Sequence, residues 1–390
     1  SAGIGETKHL ISPPSCTPEA WLSDAARQVK EAVRNRVPVI SVGRYVHPAI
    51  ADQVIRDGKA DMVAFGRALI AEPELINKYA ENRLDSVRVC LGCNEGCTGH
   101  TGKLLDITCA INPRAGYEGK YPLGVKADKA LKVAVVGAGP AGLQAALTAA
   151  QRGHKVVLFE ATSTLGGLAN IAALPPGKGV FATLGTYFST MLPRAGVDVR
   201  LNTKADADAV RALHPDHVIV ATGGTPIVPR FCADSPVVLA QDILTGAAQA
   251  GSRVLVIGGG LVGSETAEFL ADKGREVTVV ELRDGIALDM EYKTRQMLMP
   301  KLAALGVVFL TETEVLEIGC NGNVKVKTPY LEKELSGFDT VVVALGYRPD
   351  AALCADLAAA DIDFVQVGDC KKVGKIINGV WEAFQLAYRI

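Results

Sequence analysis

The sequence predicts an α/β chain carrying two Rossmann-like nucleotide-binding units, and three observations lead there. A strand, a G-x-G-x-x-G turn, a helix and a second strand ending in Glu occur in that order twice. Four cysteines, Cys90, Cys93, Cys97 and Cys109, stand directly upstream in the spacing C-x2-C-x3-C-x11-C. Ahead of them, two apolar strands that each end in Gly-Arg alternate with helical stretches.

In the first repeat, Val133-Ala134-Val135-Val136 reads as a buried strand running into Gly137-Ala138-Gly139-Pro140-Ala141-Gly142. An alanine-rich helix follows, then a strand from Val156 to Phe159 that ends in Glu160. Gly137 makes the tight turn, Gly139 lets the backbone approach a pyrophosphate, and Gly142 brings helix against strand. The helix N-terminus then faces the phosphates. The second repeat runs Val254-Leu255-Val256-Ile257-Gly258-Gly259-Gly260-Leu261-Val262-Gly263, with a strand from Val277 to Val280 ending in Glu281. Gly258, Gly260, Gly263 and Glu281 all lie 121 residues beyond their counterparts, from Gly137 to Gly258 and from Glu160 to Glu281. An equal offset at four positions predicts two nucleotide-binding domains, one inserted in the other.

The cysteine quartet supplies four thiolates from one compact loop and a return segment, which suits a 4Fe-4S cluster. A structural zinc site with four thiolates uses the same soft ligands and stays open as the rival. The other five cysteines, Cys16, Cys232, Cys320, Cys354 and Cys370, are scattered singly and read as reduced packing residues. A 390-residue chain that is 48% hydrophobic, with 40 glycines, has core enough for roughly two to four domains. With a formal net charge of -1 and no charge run, no nucleic acid and no membrane surface is expected as partner. No apolar stretch approaches spanning length, and Ser1 to Lys8 is too polar for a signal peptide; a thiol-ligated cluster and unpaired cysteines then lead to the expectation of a cytoplasmic location.

At the N-terminal side, Pro38 to Arg44 and Ala60 to Arg67 form a βαβα run with Gly43-Arg44 and Gly66-Arg67 at the strand ends. In a (β/α)8 barrel, the loops after the last two strands make a phosphate site. Glycine admits the phosphate to the backbone and a guanidinium clamps it. Two ordinary α/β turns with surface arginines explain the same pattern.

Several segments resemble the two-dinucleotide-binding-domain flavoprotein superfamily. Val218-Ile219-Val220-Ala221-Thr222-Gly223-Gly224 and Val341-Val342-Val343-Ala344-Leu345-Gly346 resemble its paired crossing strands. Leu165-Gly166-Gly167 and Val367-Gly368-Asp369 resemble its flavin-lining loop and its ribityl-binding aspartate segment. The resemblance places FAD on the first copy, with Gly137, Gly139, Gly142, Glu160, Gly167, Ala221 and Asp369, and the nicotinamide cofactor on the second. Glu281 accepts from a ribose 2′-hydroxyl and repels a 2′-phosphate, favouring NADH; Arg283 leaves NADPH possible.

Over nearly the whole chain, the Gly43-Arg44-Tyr45, Gly66-Arg67-Ala68-Leu69-Ile70-Ala71-Glu72-Pro73, Cys90-Leu91-Gly92-Cys93-Asn94-Glu95-Gly96-Cys97 and Cys109-Ala110-Ile111-Asn112-Pro113 segments resemble one branch of the old yellow enzyme (NADH:flavin oxidoreductase) family. That branch contains the 2,4-dienoyl-CoA reductases, the 2-enoate reductases and trimethylamine dehydrogenase. The resemblance implies an FMN-binding TIM barrel, a 4Fe-4S loop, then FAD and NAD domains. Gly43, Arg44, Gly66 and Arg67 would contact the FMN phosphate, and Cys90, Cys93, Cys97 and Cys109 would ligate the cluster. The expected domains are 1–85 for the C-terminal part of the barrel (strands 7 and 8), 86–128 for the cluster segment, 129–227 with 346–390 for FAD, and 228–345 for NAD(P)H.

A whole barrel takes roughly 250 residues, so most of it is expected elsewhere, in a longer protein or a separate chain, and a homo-oligomer or hetero-assembly follows. Where dienoyl-CoA reductases tend to read Gly-Ile-Gly-Trp-His, this chain reads Gly3-Ile4-Gly5-Glu6-Thr7 with a histidine at His9. His9 is then a proton donor or substrate contact, or a plain loop histidine. The implied activity is NADH-dependent electron transfer through FAD and the cluster to FMN. Its substrate would be an activated alkene, a 2-enoate or a 2,4-dienoyl-CoA. The alternatives are an amine dehydrogenase or N-demethylase, and an electron-transfer module serving a separate barrel subunit.

Overall fold

A computed structural model describes residues 8–34, 36–232, 237–319 and 322–390. The Gly3 to Thr7 loop and Cys320 lie outside them. The chain forms two compact units: an outer one of residues up to 170, 180–224 and 349–390, and an inserted one of 171–179 and 225–348. The insertion matches the reading of two nucleotide-binding domains, one within the other. The excursion at 171–179 carries no signal in the sequence.

In the outer unit, the first fingerprint strand, Lys132–Val136, is central in a five-stranded parallel sheet. Lys155–Phe159 and then Asp198–Arg200 lie on one side of it, His217–Val220 and then Val365–Gln366 on the other. Its strands are continuous apolar runs because both faces are covered. Ala134, Val136, Phe159 and Val218 pack with Leu353 and Leu357 on one face. Against the other lies the helix Pro140–Gln151, buried almost all round and covered in turn by the C-terminal helix Ile376–Arg389. Alanine suits that layer: it forms helix readily and its small side chain lets the sheet and the outer helix both approach.

The inserted unit repeats the order. Arg253–Ile257 is central, with Glu276–Val280 and Val308–Leu310 on one side and Thr340–Val343 and Val237–Leu239 on the other, all parallel. One face buries Ala267 of the helix Leu261–Ala271 and Leu298 and Leu302 of the helix Tyr292–Ala304. The other packs on an antiparallel meander, Glu314–Ile318, Val324–Lys327 and Glu332–Leu335, through Ile318, Val324 and Val326. In both sheets the strand order reverses beside the fingerprint strand. Its carboxyl end therefore opens at the topological switch point, where dinucleotides bind.

The N-terminal βαβα run is present but short. Ile40–Ser41 and Met62–Val63 pair in parallel, Ile40 opposite Met62, with the helix Pro48–Arg56 between them. Ile40, Val42 and Met62 are 56%, 56% and 45% exposed, the open apolar face expected of a partial barrel. Cys354 and Cys370 are buried, as packing residues should be, whereas Cys16 is exposed. No helix among the described residues is long and apolar enough to cross a membrane.

Glu19 pins the turn after the first strand. Its Oε2 accepts the amides of Val46 and His47 at 2.8 and 2.9 Å, and its Oε1 lies 2.6 Å from His47 Nδ1. The Glu19 hydrogen bond raises the His47 pKa above its usual value. Burial alone would raise the Glu19 carboxyl, but the His47 and Val46 bonds outweigh it and hold it low. A raised folded-state histidine stabilises fully below the unfolded value of about 6.5 and loses that contribution as pH climbs through the higher folded value. The depressed carboxylate loses its share on the acid side. Melting temperature is thus expected to fall as pH rises from about 6.5, and His47→Gln to flatten that slope in a series of thermal melts.

Candidate cofactor sites

The first fingerprint turn realises each glycine's task. Gly137 has φ 104°, and a Cβ there would lie 2.3 Å from the Ala221 carbonyl oxygen. A Cβ on Gly142 would lie 1.8 Å from the Gly137 oxygen, so only glycine lets the helix meet the strand. Gly139 faces open space, with nothing within 4 Å of a Cβ, leaving its backbone accessible to a ligand. Glu160 Oε2 accepts the Ala138 amide at 2.8 Å, and Oε1 accepts the Thr162 amide and hydroxyl. Gly167, at φ 53°, closes on Gly139, a Cβ there lying 3.0 Å from the Gly139 Cα. Gly368, at φ 69°, seats the Gly-Asp segment against Ala141. Asp369 follows it, its Oδ1 accepting the Gly374 amide at 2.9 Å and its carboxyl raised by burial. The seven residues expected to hold FAD thus converge on one sheet edge, and the open cradle at Gly139 fits a dinucleotide.

The second turn repeats this bonding. Gly258 has φ 101° and a Cβ there would sit 2.6 Å from the Ala344 oxygen; one on Gly263 would sit 1.8 Å from the Gly258 oxygen. Glu281 Oε2 accepts the Gly259 amide at 2.7 Å, and Oε1 the Arg283 amide at 2.9 Å. Sequence reasoning missed two features here. Lys178 Nζ, from the 171–179 excursion, bonds both oxygens of Glu265 at 2.7 and 2.8 Å, and burial raises that carboxyl against the pull of Lys178. Asp289 Oδ1 accepts the Leu261 amide at 2.8 Å. A buried-face carboxylate on the fingerprint helix was the available signal for Glu265, which shares that helix with Glu268.

Cys90, Cys93, Cys97 and Cys109 line a single cavity with Arg67 and Asn94. The loop depends on left-handed backbone at Gly92 and Asn94, φ 64° and 60°. A Cβ on Gly92 would press on Ser15 at 2.9 Å, and one on Gly96 on Ile377 at 2.8 Å. Burial pushes the thiols of Cys90, Cys93 and Cys109 up, Cys109 to about 11. Four cysteine sulfurs make a soft set that fits an iron-sulfur cluster or zinc. A single tetrahedral zinc, at Zn–S of about 2.3 Å, draws its ligands onto one point. Among the described residues no group of three or more His, Cys, Asp or Glu is placed to hold a metal ion, so the shared cavity is what brings the four thiols together.

The two Gly-Arg turns follow neighbouring strands. Gly43 and Arg44 have φ 156° and 54°; Arg44 Nη1 donates to the Thr17 carbonyl at 2.7 Å, and its Nε is buried without a partner. The Trp21 indole N–H is likewise unpartnered, and its ring lies 3.2 Å from where a Gly43 Cβ would be. Unused buried donors beside the turn fit an anionic group such as a phosphate. Gly66 faces open space. Arg67 reaches the cysteine cavity instead, its Nη1 donating to Asn94 Oδ1 at 2.5 Å. His9 lies on the short helix Lys8–Ile11, partly exposed.

Residues 131–370 match the family described as pyridine nucleotide-disulphide oxidoreductase. The chain belongs to that family. Residues 6–86 match the NADH:flavin oxidoreductase / NADH oxidase family, so part of a flavin-binding barrel precedes the two nucleotide-binding domains. An NADH oxidase of Thermoanaerobacter brockii is 41% identical over 398 residues, covering 100% of this chain and 61% of the relative. A cinnamate reductase of Clostridium sporogenes is 34% identical, covering 91% of this chain and 53% of the relative. A solved 2-naphthoyl-CoA reductase superposes with a TM-score of 0.91 at 30% identity, covering 97% of this chain and 57% of that one. The chain thus spans little more than half the length of these relatives, and the resemblance to the 2,4-dienoyl-CoA and 2-enoate reductase branch holds on both of its parts. Both family descriptions name oxidoreductases that use a pyridine nucleotide.

The glycines separate packing from binding. Gly142→Ala forces a Cβ into a backbone carbonyl and is expected to cost roughly 1–3 kcal/mol or more, seen as a lowered melting temperature. Gly139→Ala, whose Cβ meets nothing, should leave the apoprotein's melting temperature nearly unchanged while lowering flavin retained through gel filtration.

Proposed function

We propose that this chain is the electron-input part of an NADH-dependent iron-sulfur flavoenzyme that reduces an activated C=C bond of a 2-enoate or 2,4-dienoyl-CoA type substrate. One observation carries the reading. Within the outer unit, the four-thiol cavity lies between the Gly66-Arg67 turn, through Arg67, and the C-terminal helix that follows Asp369. On the helix side, Ile377 packs on Gly96 and Lys375 Nζ bonds Glu95 at 2.7 Å. A relay between two flavin sites needs that placement.

The chain's residues have the following roles. Gly139 and Gly260 present backbone to the pyrophosphates of FAD and NADH, while Glu160 and Glu281 face the riboses. Asp369 orients the FAD ribityl chain. Glu281 discriminates against a 2′-phosphate. Cys90, Cys93, Cys97 and Cys109 ligate the 4Fe-4S cluster; Gly43, Arg44 and Gly66 hold the phosphate end of FMN, Arg67 stands at the cluster cavity, and His9 lies on the substrate side. Together the bound groups supply two-electron oxidation of NADH, single-electron relay and hydride delivery to the alkene. The remainder of the barrel comes from further sequence or a partner chain, and substrate selectivity resides there.

Anaerobically purified protein should yield about one FAD with about four iron and four sulfide per chain, with FMN present where the barrel is complete. Anaerobic NADH should bleach the flavin at lower concentration than NADPH. Cys93→Ser should lose iron but keep FAD. Zinc in place of iron, or a chain without flavin, would overturn the assignment. FAD and cluster without FMN would reduce it to the electron-transfer module.

A further inference from the structure

We propose that Asp289 competes with the cofactor pyrophosphate at the second fingerprint turn, making the inserted unit's dinucleotide an exchanging ligand while the outer unit retains its own. The inference rests on reading the second copy as the NADH site. The two turns share their glycine geometry and their buried Glu-to-amide bond, so any difference between them stands out. At the first, Gly139 faces open space, and the helix it starts begins with Pro140, which has no N–H. At the second, a Cβ on Gly260 would lie 3.3 and 3.5 Å from the two Asp289 oxygens, and Asp289 Oδ1 already accepts the Leu261 amide at 2.8 Å.

That amide is the first donor of the 11-residue helix Leu261–Ala271, one of the groups by which such a turn holds a pyrophosphate. A dianionic pyrophosphate and a carboxylate cannot share it. The hydrogen bond must be exchanged, and two anions drawn to one helix N-terminus repel each other. The position 121 residues before Asp289 is Leu168, next to the Gly167 that closes on Gly139. The first copy therefore places a neutral residue where the second places an acid.

Asp289 is exposed, so it can rotate away without disturbing the core. When the dinucleotide leaves, its carboxylate again accepts from the helix donor in place of water. A flavin that stays bound needs no such stand-in. A nicotinamide that must depart after every turnover is released more readily with one.

The test titrates NADH, ADP-ribose and adenosine into FAD-loaded wild type, Asp289→Asn and Asp289→Ala by calorimetry. Both variants should bind NADH and ADP-ribose tighter, by roughly threefold to thirtyfold, with adenosine affinity and flavin content unchanged. The Asn variant keeps the side chain's shape, and circular dichroism checks that both variants fold. Wild-type NADH binding with no gain in either variant overturns the role of Asp289 alone. Wild type that binds neither NADH nor ADP-ribose overturns the nicotinamide reading, and this inference with it.

Discussion

Everything in the two nucleotide-binding domains depends on one steric constraint, the contact of a helix with the strand that feeds it. At Gly142 and Gly263, the position of a Cβ lies 1.8 Å from a carbonyl oxygen of the same turn. Only a bare backbone fits, and the approach aims each helix N-terminus at the sheet's switch point. The carboxylates of Glu160 and Glu281 then reach back to amides of the turns and tie each second strand to its fingerprint. The same close contact is made in both units.

The cysteine segment is held from both sides by polar and packing contacts rather than by a core of its own. Toward the barrel piece, the fully buried Glu72 accepts from Lys78 Nζ at 2.7 Å and from the Arg88 amide at 3.3 Å. Arg88 then donates to Asn112 Oδ1 at 3.0 Å, and Asn112 to the Ile70 carbonyl at 2.8 Å. A buried carboxylate tolerates such a place only when its partners are in position, so loss of one partner is costly. On the other side, Gly96 lies against Ile377 and Thr108. The loop thereby has a defined location between two flavin-type elements, which is what gives a redox reading its physical content.

Features encoded over a few neighbouring residues were legible in the sequence. The apolar strands, the glycine turns, the terminal glutamates and the cysteine spacing are local patterns, and each glycine occupies the conformation its motif demands. The duplicated order of strands followed from the repeat at one offset. Strand length in the barrel piece was less legible. Pro38 to Arg44 reads as a short apolar strand ending in Gly-Arg, with Ala60 to Arg67 repeating it, and within these runs Ile40–Ser41 and Met62–Val63 pair.

The sequence by itself determined the two nucleotide-binding folds and their fingerprint turns, since a fingerprint is specified by residues close together along the chain. Tertiary structure alone decided which distant groups meet. Arg67 turns to Asn94 and the thiol cavity, Lys178 crosses to Glu265, and Asp289 takes the Leu261 amide. Each is a contact between residues at least 27 positions apart. Charge and hydrogen-bonding capacity are visible in a residue's identity, but the partner that uses them is set by packing, which no local spacing records.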